Sequence, residues 1–453
     1  MKIIIIGAGP GGYETALLAA ERGIETIFIE SGEVGGTCLN EGCIPTKSLC
    51  RSAEMFENIK KSGEFGVNAD NVSIDFRRVQ ERKTQIVGQL RTGVEGLLRN
   101  RLVTFVAGKA SLVDSHTVSV TPDGTEYSAD YIIIATGSSA ARLPVEGCGL
   151  NGVLTSKEML DIDAVPERLC VIGAGVIGLE FASVFAAFGS KVTILEYCRE
   201  ILPRFDSDLA KRLRQSLGRR GIEIITQAAV QKIRENPDGS LEVDYLRKEK
   251  SETIAADKVL MAVGRKANVE GLNLELACVE YSAKGIRVDA DMRTTSPTVY
   301  AIGDVNGMMM LAHAAVFQGK KALDHICGKT DMIDLSVMPS AVFTMPEAAS
   351  VGLTEDECKK KGIPYICLKS FFRANGKAVC LGETDGFCKI IVGTEGLDSE
   401  SSGESSGRII GCHIYGPHSA DLVAEMTAVI SRHTTLEEFR AIIHSHPTLG
   451  EVL

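Results

Sequence analysis

A chain of 453 residues is longer than one hydrophobic core organises, and about 150 residues per domain predicts three compact units. Hydrophobic residues make up 44% and charged residues 24%, with 46 glycines and no tryptophan, which excludes a disordered chain and predicts a globular protein with many tight turns. The net charge of −10 argues against broad affinity for nucleic acid or anionic membranes, both of which need basic surface, and leaves small molecules and proteins as partners. Thirteen cysteines, an odd number without CxxC pairs, read as reduced intracellular thiols. No run reaches the ~20 apolar residues of a spanning helix, and the apolar start lacks a cleavage site, so a soluble, cytoplasmic protein is expected.

The first element is an apolar strand from Lys2 to Ile6. It runs into Gly7, Gly9 and Gly12 as GxGxxG, a helix to Glu21, and a second strand ending at Glu30. This is a complete dinucleotide-binding unit: the glycines permit a tight turn and close approach of a pyrophosphate to a helix N-terminus, and the acid accepts from a ribose hydroxyl. The stretch from Gly35 to Leu49, GGTCLNEGCIPTKSL, follows, with Cys38 and Cys43 five positions apart. An ideal helix would separate their Cα atoms by roughly 8.6 Å, whereas a disulfide tolerates about 7 Å. The segment must therefore be distorted where Cys38 sits, with Gly42 supplying the freedom. A helix starting near Cys43 would favour its thiolate. The arrangement points to a redox-active disulfide beside a flavin.

The dinucleotide pattern recurs from Leu169 to Ile172 with Gly173, Gly175 and Gly178, and its acid Glu196 stands 23 positions after Gly173, just as Glu30 stands 23 after Gly7. Two dinucleotides are implied. Glu196 would repel the extra phosphate of NADP and no arginine is immediately beside it, Arg199 being three positions on, so NAD is favoured. Each copy is followed by a matching later strand and turn, DYIIIATG from Asp130 to Gly137 and DKVLMAVG from Asp257 to Gly264. AIGDV, from Ala301 to Val305, reads as a strand leading to an exposed Asp304, and Met308 to Met310 as core or loop filling. The remainder, opening with PSAVFTMPE at Pro339 to Glu347, mixes strand-like and helical runs. Glu395 to Gly407 is of low complexity and reads as a flexible hairpin loop.

Taken together, these motifs resemble the flavin-dependent pyridine-nucleotide disulfide oxidoreductases along the whole chain, ending with HSHPTLGE from His444 to Glu451. GCIPTK with an NAD-type acid is most similar to the dihydrolipoamide-oxidising members. The resemblance implies an α/β fold: two Rossmann-like dinucleotide-binding domains, for FAD and NAD, the second inserted in the first, plus a C-terminal α+β dimerisation domain. The divisions expected are 1–145 and 269–335 for the FAD part, 146–268 for the NAD part, and 336–453 for the interface part. Beyond its glycines and Glu30, the FAD site is expected to use Gly36, Thr37, Lys47, Thr136, Gly137, Gly303, Asp304 and the segment Met310, Leu311, Ala312 and His313. The NAD site is expected to use Gly173, Gly175, Val176, Ile177, Gly178, Glu180, Glu196, Val263 and Gly264.

Catalytic roles follow from the same resemblance. Cys38 would exchange with the substrate and Cys43 face the flavin. Lys47 would approach the flavin ring with Glu180 as its partner, and His446, oriented by Glu451, would be the base. In the family that histidine reaches the other subunit's site, which implies a homodimer with shared sites. Lipoyl domains of 2-oxo acid dehydrogenase complexes or the glycine cleavage carrier are the implied partners. The other eleven cysteines (Cys50, Cys148, Cys170, Cys198, Cys278, Cys327, Cys358, Cys367, Cys380, Cys388 and Cys412) are assigned to core or surface thiols, and no metal site is expected because no ligand spacing appears. Three places depart from the family pattern. AAVFQG after His313 lacks the usual lysine and acid, Met345 stands where a histidine is usual, and the sequence stops two residues after Glu451. That stop leaves the His446–Glu451 pair in a frayed end, unless another element supports it.

Overall fold

Ile3, Ile4, Ile5 and Ile6 are all buried, as an apolar run covered on both faces requires, and strand Lys2–Ile6 lies at the centre of a five-stranded parallel sheet. The computed structural model describes residues 1–394 and 407–453. The central strand is flanked by Glu25–Glu30 and Tyr131–Ile134, with Val103–Ala107 and Val299–Ala301 at the edges. A second parallel sheet repeats the plan. Arg168–Ile172 sits between Lys191–Glu196 and Lys258–Met261, with Glu223–Thr226 and Val153–Leu154 outermost. Even the register repeats, Lys2 pairing with Glu25 and Arg168 with Lys191. Because Val299–Ala301 rejoins the first sheet after the second is complete, the second unit is an insertion in the first, as expected.

The C-terminal part is α+β, built on a five-stranded antiparallel sheet ordered Ser340–Val342, Glu347–Gly352, Arg408–Gly416, Phe387–Gly393 and Tyr365–Phe371. Alternation along Phe387–Gly393 decides what each face meets. Cys388 and Ile390 pack with Val423 and Met426 of helix Ser419–Ser431, while Phe387 on the other face packs into the core of the second unit. Lys389 shares that inner face and is buried, its Nζ bonding both Asp206 oxygens at 3.0 Å, Asp208 at 3.1 Å and Glu355 at 2.5 Å. The hairpin-loop expectation for residues 395–406 lies outside the described residues. Among those described, no helix is long and apolar enough to cross a membrane.

The Lys389 cluster makes the fold acid-sensitive in a definite direction. Hydrogen bonds from Lys369 and Lys389 hold the Asp208 carboxyl at about 2, and those from Lys359 and Lys389 do the same for Glu355. Both values lie below those of the unfolded chain, so the stabilisation is full above about pH 5 and is lost as pH falls towards 2. The thermal midpoint is expected to drop over that interval, and Glu355→Gln to make the drop shallower, as a melting series against pH will test.

Candidate active site

Cys38 sits inside a regular helix rather than at a distortion, and the interruption that the cysteine spacing requires comes four residues later, at Gly42. Helix Gly36–Glu41 ends at Gly42, whose φ of −146° and ψ of −106° interrupt the winding, and helix Cys43–Lys60 begins at the next residue. Cys38 and Cys43 are free thiols here, in hydrogen-bonding contact. The hydrogen bond to Cys43 and burial push the Cys38 thiol far up. The bond received from Cys38 draws Cys43 down to about 7 against burial, with the Lys47 cation assisting. The pair therefore keeps its shared proton on Cys38 and its charge on Cys43, the first residue of a helix, where free N–H groups favour an anion.

Lys47, one helical turn beyond Cys43, lies with its Nζ 2.9 Å from both oxygens of Glu180, which is buried on helix Val176–Phe188 of the second unit. Burial alone would lower the Lys47 ammonium, but the Glu180 carboxylate outweighs it and the net shift is upward. The Phe343 N–H donates to Glu180 at 3.0 Å, and the Phe343 ring lies 4.4 Å from Lys47 Nζ. Met345, at the histidine position of the family pattern, donates its N–H to Ser183 on the same helix. The PSAVFTMPE segment is thus fastened to the second unit beside the dithiol helix.

Both glycine turns are built alike. Glu30 accepts the Ala8 N–H at 2.6 Å and that of Gly32 at 2.7 Å; Glu196 accepts the Ala174 and Cys198 N–H groups, each at 2.6 Å. Each acid therefore braces the turn of its own unit as well as facing the cavity. The three glycines have separate causes. Gly7 and Gly173 sit at φ +109° and +104°, and a Cβ there would come 2.3 Å and 2.4 Å from the carbonyl oxygens of Ala135 and Ala262. A Cβ on Gly12 or Gly178 would lie 1.8 Å or 2.0 Å from the oxygen of Gly7 or Gly173. At Gly9 and Gly175 a Cβ would meet nothing within 4 Å, so only these two present open backbone to an incoming group.

One continuous cavity of about 2340 Å³ joins the two turns, and the dithiol lies in its wall. It is lined by Gly7, Gly9, Glu30, Gly36, Thr37, Cys38, Cys43, Lys47, Thr136, Gly137, Gly303, Asp304 and the Met310, Leu311, Ala312 and His313 segment on one side. On the other it is lined by Gly173, Gly175, Val176, Ile177, Glu180, Glu196, Val263 and Gly264. Gly12 and Gly178 are behind the wall, because the carbonyl they accommodate is that of their own turn. Asp304 is half-buried rather than exposed: it follows Gly303 in a tight turn, where Ser138 Oγ donates to it and Arg265 Nε stands 3.7 Å away. His313 Nε2 donates to Pro339 O at 2.8 Å. Sequence reasoning missed Arg265, Asn268 and Phe343, which line the same cavity; Asn268 exchanges two bonds with Thr136.

His446 and Glu451 are bonded, Nδ1 to Oε1 at 2.8 Å, yet neither lines this chain's own cavity, and the imidazole is 78% exposed. Their end of the chain is supported rather than frayed. Glu451 accepts the Thr448 N–H in a capping box, Asn375 donates to Thr448 O at 3.0 Å, and Val452 is buried in the C-terminal core. The Thr448 N–H and His446 hold the Glu451 carboxyl below its ordinary value.

Two dinucleotide turns opening on one cavity, with a dithiol between them, define a nucleotide-dependent disulfide oxidoreductase. The chain belongs to the pyridine nucleotide-disulphide oxidoreductase family, whose profile matches residues 1–319, with the family's dimerisation-domain profile matching 338–453. It is 41% identical over 454 residues to a dihydrolipoyl dehydrogenase of Geobacillus stearothermophilus, covering 100% of this chain and 94% of that one. It is 40% identical over 453 residues to the dihydrolipoyl dehydrogenase of Bacillus subtilis, covering 99% and 94%. Among solved structures it is similar to LpdA from Mycobacterium tuberculosis, with a TM-score of 0.90 and 26% identity over 100% and 98% of the two chains. It also resembles the HOCl-induced flavoprotein disulfide reductase RclA from Escherichia coli, with a TM-score of 0.86 and 28% identity over 100% and 98%. The protein is an enzyme, an oxidoreductase of the flavoprotein disulfide class.

Membership implies FAD and NAD, and the residues present fit both. Two open glycines, two acids placed alike, and a cavity more than twice the roughly 300–1,000 Å³ of an ordinary ligand pocket accommodate two dinucleotides. Two outcomes are expected. Gly12→Ala and Gly178→Ala will lower apoprotein stability by about 1–3 kcal/mol through overpacking, whereas Gly9→Ala and Gly175→Ala will leave it within about 0.5 kcal/mol, as denaturant unfolding will measure. The alkylation rate of Cys43 in the reduced protein will rise with a midpoint near 7, and Lys47→Met will move that midpoint upward.

Proposed function

We propose that this protein oxidises dihydrolipoamide carried on lipoyl domains to lipoamide, with NAD+ as acceptor, in the cytoplasm. The observation that carries the reading is the Cys38–Cys43 dithiol in the wall between two dinucleotide turns. The 41% identity to a dihydrolipoyl dehydrogenase supports the choice of substrate. Gly7, Gly9, Glu30, Gly36, Thr37, Thr136, Gly137, Gly303, Asp304 and the 310–313 segment would hold FAD; Gly175, Val176, Ile177, Glu196, Val263 and Gly264 would hold NAD. The domain divisions at 145, 268 and 335 follow from the same assignment. FAD, when bound, supplies the two-electron relay between a thiol pair and a nicotinamide, which accepts only hydride.

The chain's own residues carry the sulfur chemistry. In the oxidised pair, a substrate thiolate attacks Cys38, and the Cys38–Cys43 bond breaks to release Cys43 as a thiolate. The second substrate thiol then attacks the substrate sulfur of the mixed disulfide, closing the cyclic disulfide and freeing Cys38. A dithiol has been oxidised and the Cys38–Cys43 pair reduced. His446, contributed by the partner of a homodimer, takes the thiol proton at Nε2, while Glu451 accepts from Nδ1 and stabilises the imidazolium. Lys47 and the helix N-terminus hold the Cys43 thiolate, and Glu180 keeps the Lys47 cation in place. The low value of Cys43 against the high value of Cys38 supports this division between them.

A second reading, NADH-dependent reduction of another small disulfide or a metal ion, draws support from the likeness to RclA, one of whose structures is a Cu(II) complex. One assay separates the two. FAD-loaded protein with dihydrolipoamide is expected to form NADH rapidly from NAD and not from NADP. No turnover, with flavin that NADH still reduces, would overturn the first reading in favour of the second. His446→Gln is expected to slow dihydrolipoamide oxidation about 10²- to 10⁴-fold without changing flavin reduction by NADH, as rapid-mixing absorbance will measure.

A further inference from the structure

The buried Lys389 cluster lies away from the dithiol, yet it is joined by a short path of hydrogen bonds and backbone to the second glycine turn. Three carboxylates meet one ammonium there. Asp206 and Asp208 come from the start of helix Ser207–Arg219 in the second unit, and Glu355 from the start of helix Glu355–Lys361 in the C-terminal part. Asp206 is fully buried and over-determined. It accepts two bonds from Lys389, caps its helix by accepting the Asp208 N–H at 3.1 Å, and accepts the Glu355 N–H at 3.2 Å.

Residues 202–205, immediately before Asp206, line the half of the cavity that carries Glu196. Leu202 is held at φ +47°, a strained conformation for a branched side chain, and its N–H donates to Ala174 O at 3.1 Å. Ala174 belongs to the second glycine turn, and its own N–H is the one that Glu196 accepts. The path therefore runs from Lys389 to Asp206, along four residues of backbone, and onto the turn. A buried ion cluster is poor evidence for stability, because apolar residues of similar volume often serve as well; what it fixes is geometry. Here the geometry fixed is one end of a cavity-lining segment whose other end is Glu196.

We propose that Lys389 is a positioning residue for the second dinucleotide site: by pinning Asp206 it holds residues 202–205 against the glycine turn, so that NAD meets a formed site rather than one it must order. The inference rests on the reading that this turn binds NAD. Ordering a segment on binding weakens affinity, whereas a pre-set segment preserves it. The flavin side and the dithiol gain nothing from Lys389, since none of its bonds reaches them.

The test is NAD+ binding to the oxidised, FAD-loaded protein, a pairing that exchanges no electrons, followed by flavin fluorescence, alongside flavin content and the rate of flavin reduction by dihydrolipoamide. Lys389→Met is expected to raise the Kd for NAD+ about tenfold or more, with flavin content and the dithiol half-reaction within about twofold of wild type. Glu355→Gln, which keeps the Lys389–Asp206 pair, is expected to leave that Kd within about threefold. A folded, flavin-replete Lys389→Met with the wild-type Kd, or an equal loss in both half-reactions, would overturn the proposal. Should Lys389→Met not fold, Asp206→Asn decides in its place: a several-fold weaker NAD+ affinity supports the role and an unchanged one overturns it. Failure of the wild type itself to bind NAD+ would instead strike the assignment of the second turn.

Discussion

The ion pair between Lys47 and Glu180 is the constraint on which the arrangement of the site depends. Its cation comes from the helix that carries Cys43, its anion from the helix that follows the second glycine turn, and the remaining demand of the anion is met by the N–H of Phe343 from the C-terminal part. Three regions of the fold thus meet at one buried carboxylate. Glu180 cannot be left there unpaired without a heavy desolvation penalty, so the dithiol helix is held in register with the second dinucleotide unit. The same cation lies near enough to Cys43 to favour its thiolate, which couples the packing of the domains to the redox chemistry of the pair.

The two nucleotide units show how one solution to a backbone problem is used twice. In each, a first glycine escapes a carbonyl of the later strand, a third escapes a carbonyl of its own turn, and a second stands open to the cavity. In each, the acid at the end of the second strand reaches back to the N–H of the residue after the first glycine. The carboxylate is thereby fixed in advance, so little of its orientation would have to be achieved if a ribose hydroxyl were bound there. What distinguishes the units lies outside the repeat: the dithiol segment follows the first acid, and the segment leading to Asp206 follows the second.

Much of this was legible in the sequence because the determinants are local. The isoleucine run, the glycine spacing and the equal distances to Glu30 and Glu196 are all set within about 25 residues, and the break at Gly42 follows from the distance limit on Cys38 and Cys43. Asp304 was misjudged as exposed because its cover, Ser138, lies 166 positions away. Phe343 and Arg265 went unrecognised for the same reason, their partners Glu180 and Ser138 being 163 and 127 positions distant. Lys389 reads in the sequence as the polar position of an apolar strand, and only the sheet's packing against the second unit turns it inward. The C-terminal pair was found as a motif, but its anchorage by Asn375 and Val452 depends on tertiary packing that no spacing conveys.

The measurement that bears most directly on the central claim is anaerobic flavin absorbance after adding dihydrolipoamide to the FAD-loaded wild type and to Cys38→Ser, with NADH as the parallel reductant. If electrons pass from the substrate through Cys38 and Cys43, the wild-type flavin spectrum will change with either reductant, whereas Cys38→Ser will respond to NADH alone. Reduction of the Cys38→Ser flavin by dihydrolipoamide at the wild-type rate would contradict the account, because the pair would then not lie on the path between substrate and cofactor.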